Sequence, residues 1–322
     1  GVTSCSDELE YVLDATAPVA PSGWTLSSPT NGATSSDSTP QITITGDVLE
    51  VGSTAKVYAD SGCTTQLGSA ATIAATDVVI SDISFASDGV KNFYGKITDQ
   101  AGNSTACTDL ARSYTFETAA PSVSSIVKAS SSPTNSGTVN FTVTFSEGVS
   151  GVDTADFTLT VAGVSGASVS SVTQVTASQY TVAVATGSNS GTIRLDLTDN
   201  DSITDTAGNM LGGAGVNNYT SGETYTIDKT GPTVTVNQAS GQADPASTFP
   251  ILYDVVFNEA VTGFTSADVT IGGTATGITL TVSGSGTTYE IQITGASTSG
   301  TIIPSINASG AADLAGNLNA AS

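Results

Sequence analysis

Histidine is absent from this 322-residue chain, and lysine plus arginine number 7 against 29 acidic residues. Without imidazole, Ser/His and Cys/His nucleophilic systems and His-ligated zinc are excluded. The formal charge of −22 repels phosphate backbones and anionic lipid, so neither nucleic acid nor a membrane surface is an expected partner. The same charge attracts divalent cations, and it also keeps a secreted surface solvated. No apolar run reaches the 18 residues that a spanning helix requires, so no membrane insertion is expected in this segment. No charged-then-apolar leader precedes Gly1, and a mature or excised extracellular segment is the expectation. Aromatic residues make up 6% of the chain, few for stacking against sugars. Phosphate-cradling and dinucleotide-binding glycine motifs are lacking. A glycosidase needs two carboxylates in one cleft, whereas the acids here recur along the chain, so no enzymatic activity is expected.

Cysteine is nearly as scarce, at three residues. Cys63 lies in a turn sequence, Asp60-Ser61-Gly62-Cys63-Thr64-Thr65, and Cys107 just before a final strand of the same repeat. A Cys63–Cys107 disulfide is expected there, implying an oxidising compartment. Cys5 precedes Tyr11 much as Cys107 precedes Tyr114, and has no evident partner.

Threonine, serine, valine, alanine and glycine dominate, a composition that favours pleated, half-buried strands over helices. The chain therefore reads as all-β. One stretch occurs three times: Tyr11-Val12-Leu13-Asp14 followed by Pro18, Tyr114-Thr115-Phe116-Glu117 followed by Pro121, and Tyr225-Thr226-Ile227-Asp228 followed by Pro232. Each is an alternating strand that ends in a carboxylate, then a small-residue hinge, then a proline that fixes φ and opens the next module. The prolines are spaced by about 103 and about 111 residues, the size of one β-sandwich. The expected division is 1–17 as an orphan final strand, 18–120, 121–231, and 232–322 as a repeat without its last strand.

Apolar and polar residues alternate over Thr39–Gly46 and, strictly, over Val139–Phe145; Tyr180–Val184 and Thr192–Leu197 read as further strands, and the loop Asp-x-Ala-Gly-Asn recurs at Asp99–Asn103, Asp205–Asn209 and Asp313–Asn317. In that loop glycine takes positive φ, and the Asp and Asn side chains bond the turn backbone; the alternative is a ligand loop that pairs with Glu147 or Glu259 and a joint carboxylate.

The Phe-x-Glu-x-Val motif at Phe145, Glu147 and Val149, repeated at Phe257, Glu259 and Val261, resembles the bacterial Ig-like domains of large surface adhesins. Ala155-Asp156-Phe157 and the Asp-x-Ala-Gly-Asn loop strengthen the likeness. The first repeat, with Val57-Tyr58-Ala59-Asp60 and Cys63, resembles a related Ig-like type with a cysteine loop, and it lacks the Phe-x-Glu-x-Val motif. The resemblance implies three tandem immunoglobulin-like β-sandwiches in a rod, with an orphan N-terminal strand and an incomplete last domain.

Calcium is the expected cofactor for the acidic residues, because it takes six to eight oxygens from carboxylates, amides and carbonyls. Asp196, Asp199 and Asp201 fall within one short segment and Asp205 follows at the next turn. A solvated Asx-rich turn is the structural alternative there. Asp14, Glu117 and Asp228 lie at the joints, where a cation shared with Glu147 or Glu259 would stiffen the hinge. Ordinary surface acids are the alternative.

These features point to an extracellular structural protein, the stalk or fibre segment of a prokaryotic surface adhesin or appendage. Its expected partners are neighbouring copies or repeats of itself. The surplus strand at residues 1–17 and the unfilled place in the third repeat fit one another. That leaves two origins open, a longer tandem array or a filament subunit joined head to tail by strand donation. A glycan- or protein-binding module at the cell surface is the remaining alternative.

Overall fold

The computed structural model describes residues 11–20, 23–46 and 51–322. Two compact units divide the chain, one formed by residues up to Pro121 with Ile203–Ala214, the other by Ser122–Ser202 with Gly215–Ser322. The structure is nearly all β and its sheets carry the immunoglobulin-like layering expected above. Among the described residues no helix is long and apolar enough to cross a membrane.

The first unit contains β1 (Trp24–Ser28), β2 (Thr34–Ser35), β3 (Gln41–Ile44), β4 (Thr54–Tyr58), β5 (Gln66–Thr72), β6 (Val78–Ile80), β7 (Gly89–Thr98) and β8 (Thr108–Phe116). They form two sheets, ordered β1-β3-β6 and β2-β8-β7-β4-β5. Period-two alternation turns Ile42, Ile44, Val57, Phe93, Ile97 and Tyr114 into one core, and each such side chain contributes about 1.5–3 kcal/mol when fully buried. Tyr114 stacks on Phe93 and donates its hydroxyl to the Asp37 carbonyl at 2.9 Å. Burial, aided by the Asp37 charge, pushes its phenol up to about 12.

The Cys63–Cys107 disulfide is present and joins the β4–β5 turn to the segment entering β8. Asp60 organises that turn by accepting from the backbone N–H groups of Gly62, Thr64 and Thr65 at 3.0, 3.1 and 2.7 Å. The Thr65 bond first of all, and then those from Thr64, outweigh partial desolvation and hold the Asp60 carboxyl at about 2. Cys5 falls among residues 1–10, outside the described residues. The expected orphan strand shares that fate over residues 1–10; residues 11–17 carry no strand assignment, and Tyr11, Val12 and Leu13 are 89%, 87% and 92% exposed.

In the remaining chain the strands are β9 (Val123–Lys128), β10 (Thr138–Phe145), β11 (Val149–Ser150), β12 (Phe157–Ala162), β13 (Ser168–Thr176), β14 (Gln179–Ala185), β15 (Gly191–Leu197), β16 (Thr204–Asp205), β17 (Thr224–Ile227), β18 (Val234–Gln238), β19 (Ile251–Val261), β20 (Val269–Gly273), β21 (Thr279–Gly295) and β22 (Ile302–Ile306). Within the second unit, β13-β14-β10-β9 faces β12-β15-β17, and the same scheme recurs as β18-β19-β21 with β20-β22. The alternation of β10 buries Val139, Phe141, Val143 and Phe145, as read from the sequence. The Ala-Asp motif builds one device twice: Asp156 accepts from Asp153 N–H at 2.7 Å and Asp268 from Thr265 N–H at 2.8 Å, closing a short 3-10 turn before β12 and β20. The valine of Phe-x-Glu-x-Val is likewise bound twice, its carbonyl accepting from Tyr180 at Val149 and from Tyr289 at Val261.

Strand β17 closes the first of these two sandwiches. It pairs with β15 in the register Gly191↔Ile227, Thr192↔Thr226 and Ile193↔Tyr225. Tyr225 is completely buried, meets Phe141 edge-on at 5.1 Å, accepts from Ser130 N–H and donates to the Asn140 carbonyl, both at 2.9 Å. In the second sandwich β22 pairs with β20 from Val269↔Ile306 to Gly273↔Ile302. Its other edge carries hydrogen bonds between Ile306 and Ser322, and no strand runs beside Ile302–Ser305 among the described residues.

Two outcomes follow. Tyr225→Phe strands buried partners of the hydroxyl, so denaturant melts should show a loss of about 1–3 kcal/mol. Asp60→Ala should lower the melting temperature at neutral pH. A depressed folded pKa contributes stability that is present above the ordinary value of 3.8 and lost as pH falls through about 2, so the gap to the parent chain should close across that window. A gap that stays constant down to pH 2 would contradict this assignment of Asp60.

Candidate functional site

The feature that recurs most faithfully is the Asp-x-Ala-Gly-Asn loop. Gly102, Gly208 and Gly316 sit at φ 94°, 90° and 92°, a left-handed conformation that an L side chain disfavours. That turn lets each Asn return over its own Asp. The Asn backbone N–H donates to the Asp carboxylate at 2.8, 2.9 and 2.9 Å, and its side-chain amide donates to the other carboxylate oxygen at 3.0, 2.8 and 2.9 Å. These bonds have electrostatic consequences. The Asn103 side chain lowers the Asp99 carboxyl, and at Asp205 the Asn209 bonds overcome the upward push of burial, so that it too ionises below its ordinary range.

The same amide also reaches a joint. Asn103 donates to the Asp14 carbonyl at 3.1 Å, Asn209 to the Glu117 carbonyl at 3.2 Å, and Asn317 to the Asp228 carbonyl at 2.9 Å. Asn209 donates to the Glu117 carboxylate as well, at 2.8 Å. Each loop therefore grips the main chain at the acid that ends the tripled Tyr-x-apolar-acid stretch. At the last joint Gly231 passes so close to the backbone of Leu318 that a methyl group there would collide with its carbonyl oxygen.

That joint gathers three carboxylates. Oxygens of Asp228, Glu259 and Asp313 all lie within 4.8 Å of one another, with Asp313 buried and the others half-buried. Burial, then the charges of Asp313 and Asp228, push the Glu259 carboxyl up. Lys229, next in sequence to Asp228, turns its ammonium to the carbonyls of Asn135 and Ser136 at 2.7 and 2.8 Å instead. An all-oxygen, anionic donor set of this kind suits a hard cation such as calcium, with carbonyls and water completing its shell. Asp228, Glu259 and the loop residue Asp313 are the set that the ligand-loop alternative of the sequence reading names.

The other predicted ligands are placed as follows. Asp196 lies on β15, where Arg194 donates to both its oxygens at 2.7 and 3.1 Å. Asp199 accepts from the backbone of Asp201 and Asn217, both at 3.0 Å, and Asp201 accepts from Gly215. Their oxygens are thus engaged by backbone and guanidinium donors, and among the described residues they form no three-carboxylate group. Asp205 is buried and Glu117 half-buried in the first unit, linked through Asn209; Glu147 belongs to the second unit. Asp14 is exposed and accepts from Thr16 N–H at 2.9 Å. The reach of each Asn to its joint escaped the sequence reading, although the signal is there: Asn and joint acid are 89, 92 and 89 residues apart.

Residues 228–322 match the family model of a bacterial Ig-like domain. Among solved structures, the chain is similar to FdeC, an adhesin of Escherichia coli, at 14% identity and TM-score 0.40, covering 96% of this chain and 98% of that one. A marsupial T cell receptor gives 9% identity and TM-score 0.32, with 91% and 96% covered. No curated protein sequence matches.

Asn317→Ala removes the amide that holds both Asp313 and the Asp228 carbonyl. Urea unfolding should show a loss of about 1–3 kcal/mol, and an unchanged midpoint would mean that this grip carries no stability.

Proposed function

We propose that this chain is a non-enzymatic structural segment of a prokaryotic cell-surface adhesin or appendage, a stalk that transmits tension through Ig-like repeats. The observation that carries this reading is the tripled joint. At each one a loop amide fixes the carbonyl of the joint acid, which at Glu117 and Asp228 directly follows a closing strand, so pulling on the chain loads a hydrogen-bonded clamp. The Ig-like match over residues 228–322 supports an extracellular setting, as does the disulfide, which persists in oxidising compartments.

In single-molecule stretching, the chain should give separate unfolding events, each releasing roughly 100 residues or about 350 Å of contour for a repeat that unfolds fully. Extension without discrete events would overturn the stalk reading.

Calcium is the cofactor we propose for the last joint, bound by Asp228, Glu259 and Asp313. Bound there, it would neutralise three like charges held together at the hinge. Calcium at a hundredfold excess over its Kd should add about 2.7 kcal/mol of stability. Chelator should reverse the gain, and the Glu259→Gln/Asp313→Asn pair should abolish it. Identical melts with calcium and with chelator would remove the metal from the account.

A further inference from the structure

One corner of the first unit holds a cleft that neither the joints nor the core accounts for. Its volume is about 260 Å³, and Trp24, Gly95, Thr105, Thr108, Asp109 and Arg112 are among the residues that line it. Trp24 is the only tryptophan of the chain, half-buried at the start of β1 and packed against the core. Its ring has room because Gly95 carries no side chain: a methyl group there would come within 2.7 Å of Leu110 and 3.1 Å of the indole.

The facing wall is an irregular piece of β8. Phe93 pairs with Arg112 while the next residue, Tyr94, pairs with Asp109, so Leu110 and Ala111 are surplus to the ladder. A bulge of this kind re-aims the side chains around it, and here it places a residue other than glycine, Ala111, at φ 52°. Three contacts hold it in place. Asp109 accepts from Ala111 N–H at 2.8 Å, Asn31 accepts from Ser113 N–H at 2.8 Å, and Arg112 donates from Nε to the Trp24 carbonyl at 3.1 Å. The Cys63–Cys107 disulfide pins the chain immediately before Thr108. Asp109 and Arg112, on either side of the two surplus residues, thereby line the same cleft.

Both side chains keep an atom free. Arg112 uses Nε and Nη1 on the carbonyls of Trp24 and Ala111, and Asp109 uses Oδ1 on Ala111 N–H, whereas Nη2 and Oδ2 meet no hydrogen-bonding partner among the described residues. Nor do the two form an ion pair with each other. The corner is particular to this sandwich. With Tyr114 aligned to Tyr225, the counterpart of Arg112 is Glu223, a residue of opposite charge whose carboxylate accepts from Lys128 N–H.

An aromatic wall with one donor and one acceptor converging on a cavity is the general form of a small-molecule site. At about 260 Å³ it falls just below the range of roughly 300–1,000 Å³ that takes drug-sized ligands, so it suits one ring and not an extended chain. A purely apolar ring would leave Nη2 and Oδ2 without water or partner, and an anion would meet the Asp109 carboxylate in a chain of charge −22. A sugar ring avoids both costs, because it is apolar on its CH face and carries adjacent hydroxyls that donate as well as accept. We infer that this cleft binds one neutral pyranose, its CH face against Trp24, one hydroxyl donating to Asp109 and its neighbour accepting from Arg112. The inference goes beyond the stalk reading, since it gives the segment a ligand of its own, and it involves no metal.

The test uses the full chain in chelator and reads the fluorescence of Trp24, which no other indole overlaps. D-glucose, D-galactose, D-mannose and N-acetyl-D-glucosamine are titrated singly, with sorbitol as an open-chain polyol. At least one of the pyranoses should shift the emission along a saturable single-site curve, and sorbitol should not. The methyl glycoside of that sugar separates the two sources of such a ring: equal affinity identifies the end of a glycan, and lost affinity identifies the free sugar. Asp109→Asn keeps the oxygen that holds Ala111 but puts a donor in place of the free acceptor, and Arg112→Lys keeps a cation but removes Nη2. Each should raise the Kd about tenfold or more with unchanged far-UV circular dichroism. If neither fluorescence nor titration calorimetry detects any of the four sugars, the proposal is overturned. A response that sorbitol shares, or that both variants leave unchanged, overturns it equally.

Discussion

Tyr225 and Asp228 stand three residues apart and are held from opposite sides. The phenol is fixed inside one sandwich by Ser130 and Asn140, and the carbonyl of Asp228 is held by Asn317 of the next. A strand whose two ends are gripped by different cores cannot slide by one residue without losing both, since a one-residue slip would carry Tyr225 to the solvent face. In the first unit Tyr114 and Glu117 are held in the same manner, by Asp37 and by Asn209. The closing strand thus finishes one core and begins the next joint, which explains why its pattern recurs when most of the intervening sequence does not.

The acids gain a purpose from this arrangement. The Asp of each loop orients an amide, and the Asn bonds lower the carboxyls of Asp99 and Asp205. At the last joint the geometry brings Asp228 and Glu259 against that Asp as well, and burial, then the crowding of negative charge, raises Glu259. Hydrogen bonds stabilise the first carboxylate while like charge and burial work against the last. Three carboxylates are thus crowded at one joint, in a chain whose net charge is −22.

Much of this was legible beforehand. Strand positions followed from alternation, because side chains on a pleated strand point to opposite faces and one face must be apolar. The disulfide followed from placing one cysteine in a turn and the other before the last strand of the same repeat. Asp196 was less well served: grouping it with Asp199 and Asp201 overlooked Arg194, two residues back on the same strand and so on the same face, which takes both carboxylate oxygens. The joint contacts were hidden for another reason. Local sequence determines how Asp313 and Asn317 fold upon each other, but which distant carbonyl the spare amide proton meets depends on how a whole sandwich is seated, a contact spanning 89 residues.

The central claim is that β17, with the Asp228 that follows it, couples the two sandwiches of the second unit. Calorimetry on the full chain tests it most directly, comparing the parent with Asn317→Ala. The account predicts that the two sandwiches of the second unit, residues 122–202 with 215–227 and residues 228–322, melt as one cooperative transition in the parent and separate into two in the variant. Identical cooperativity in both chains, whether as one transition or as two, would contradict it.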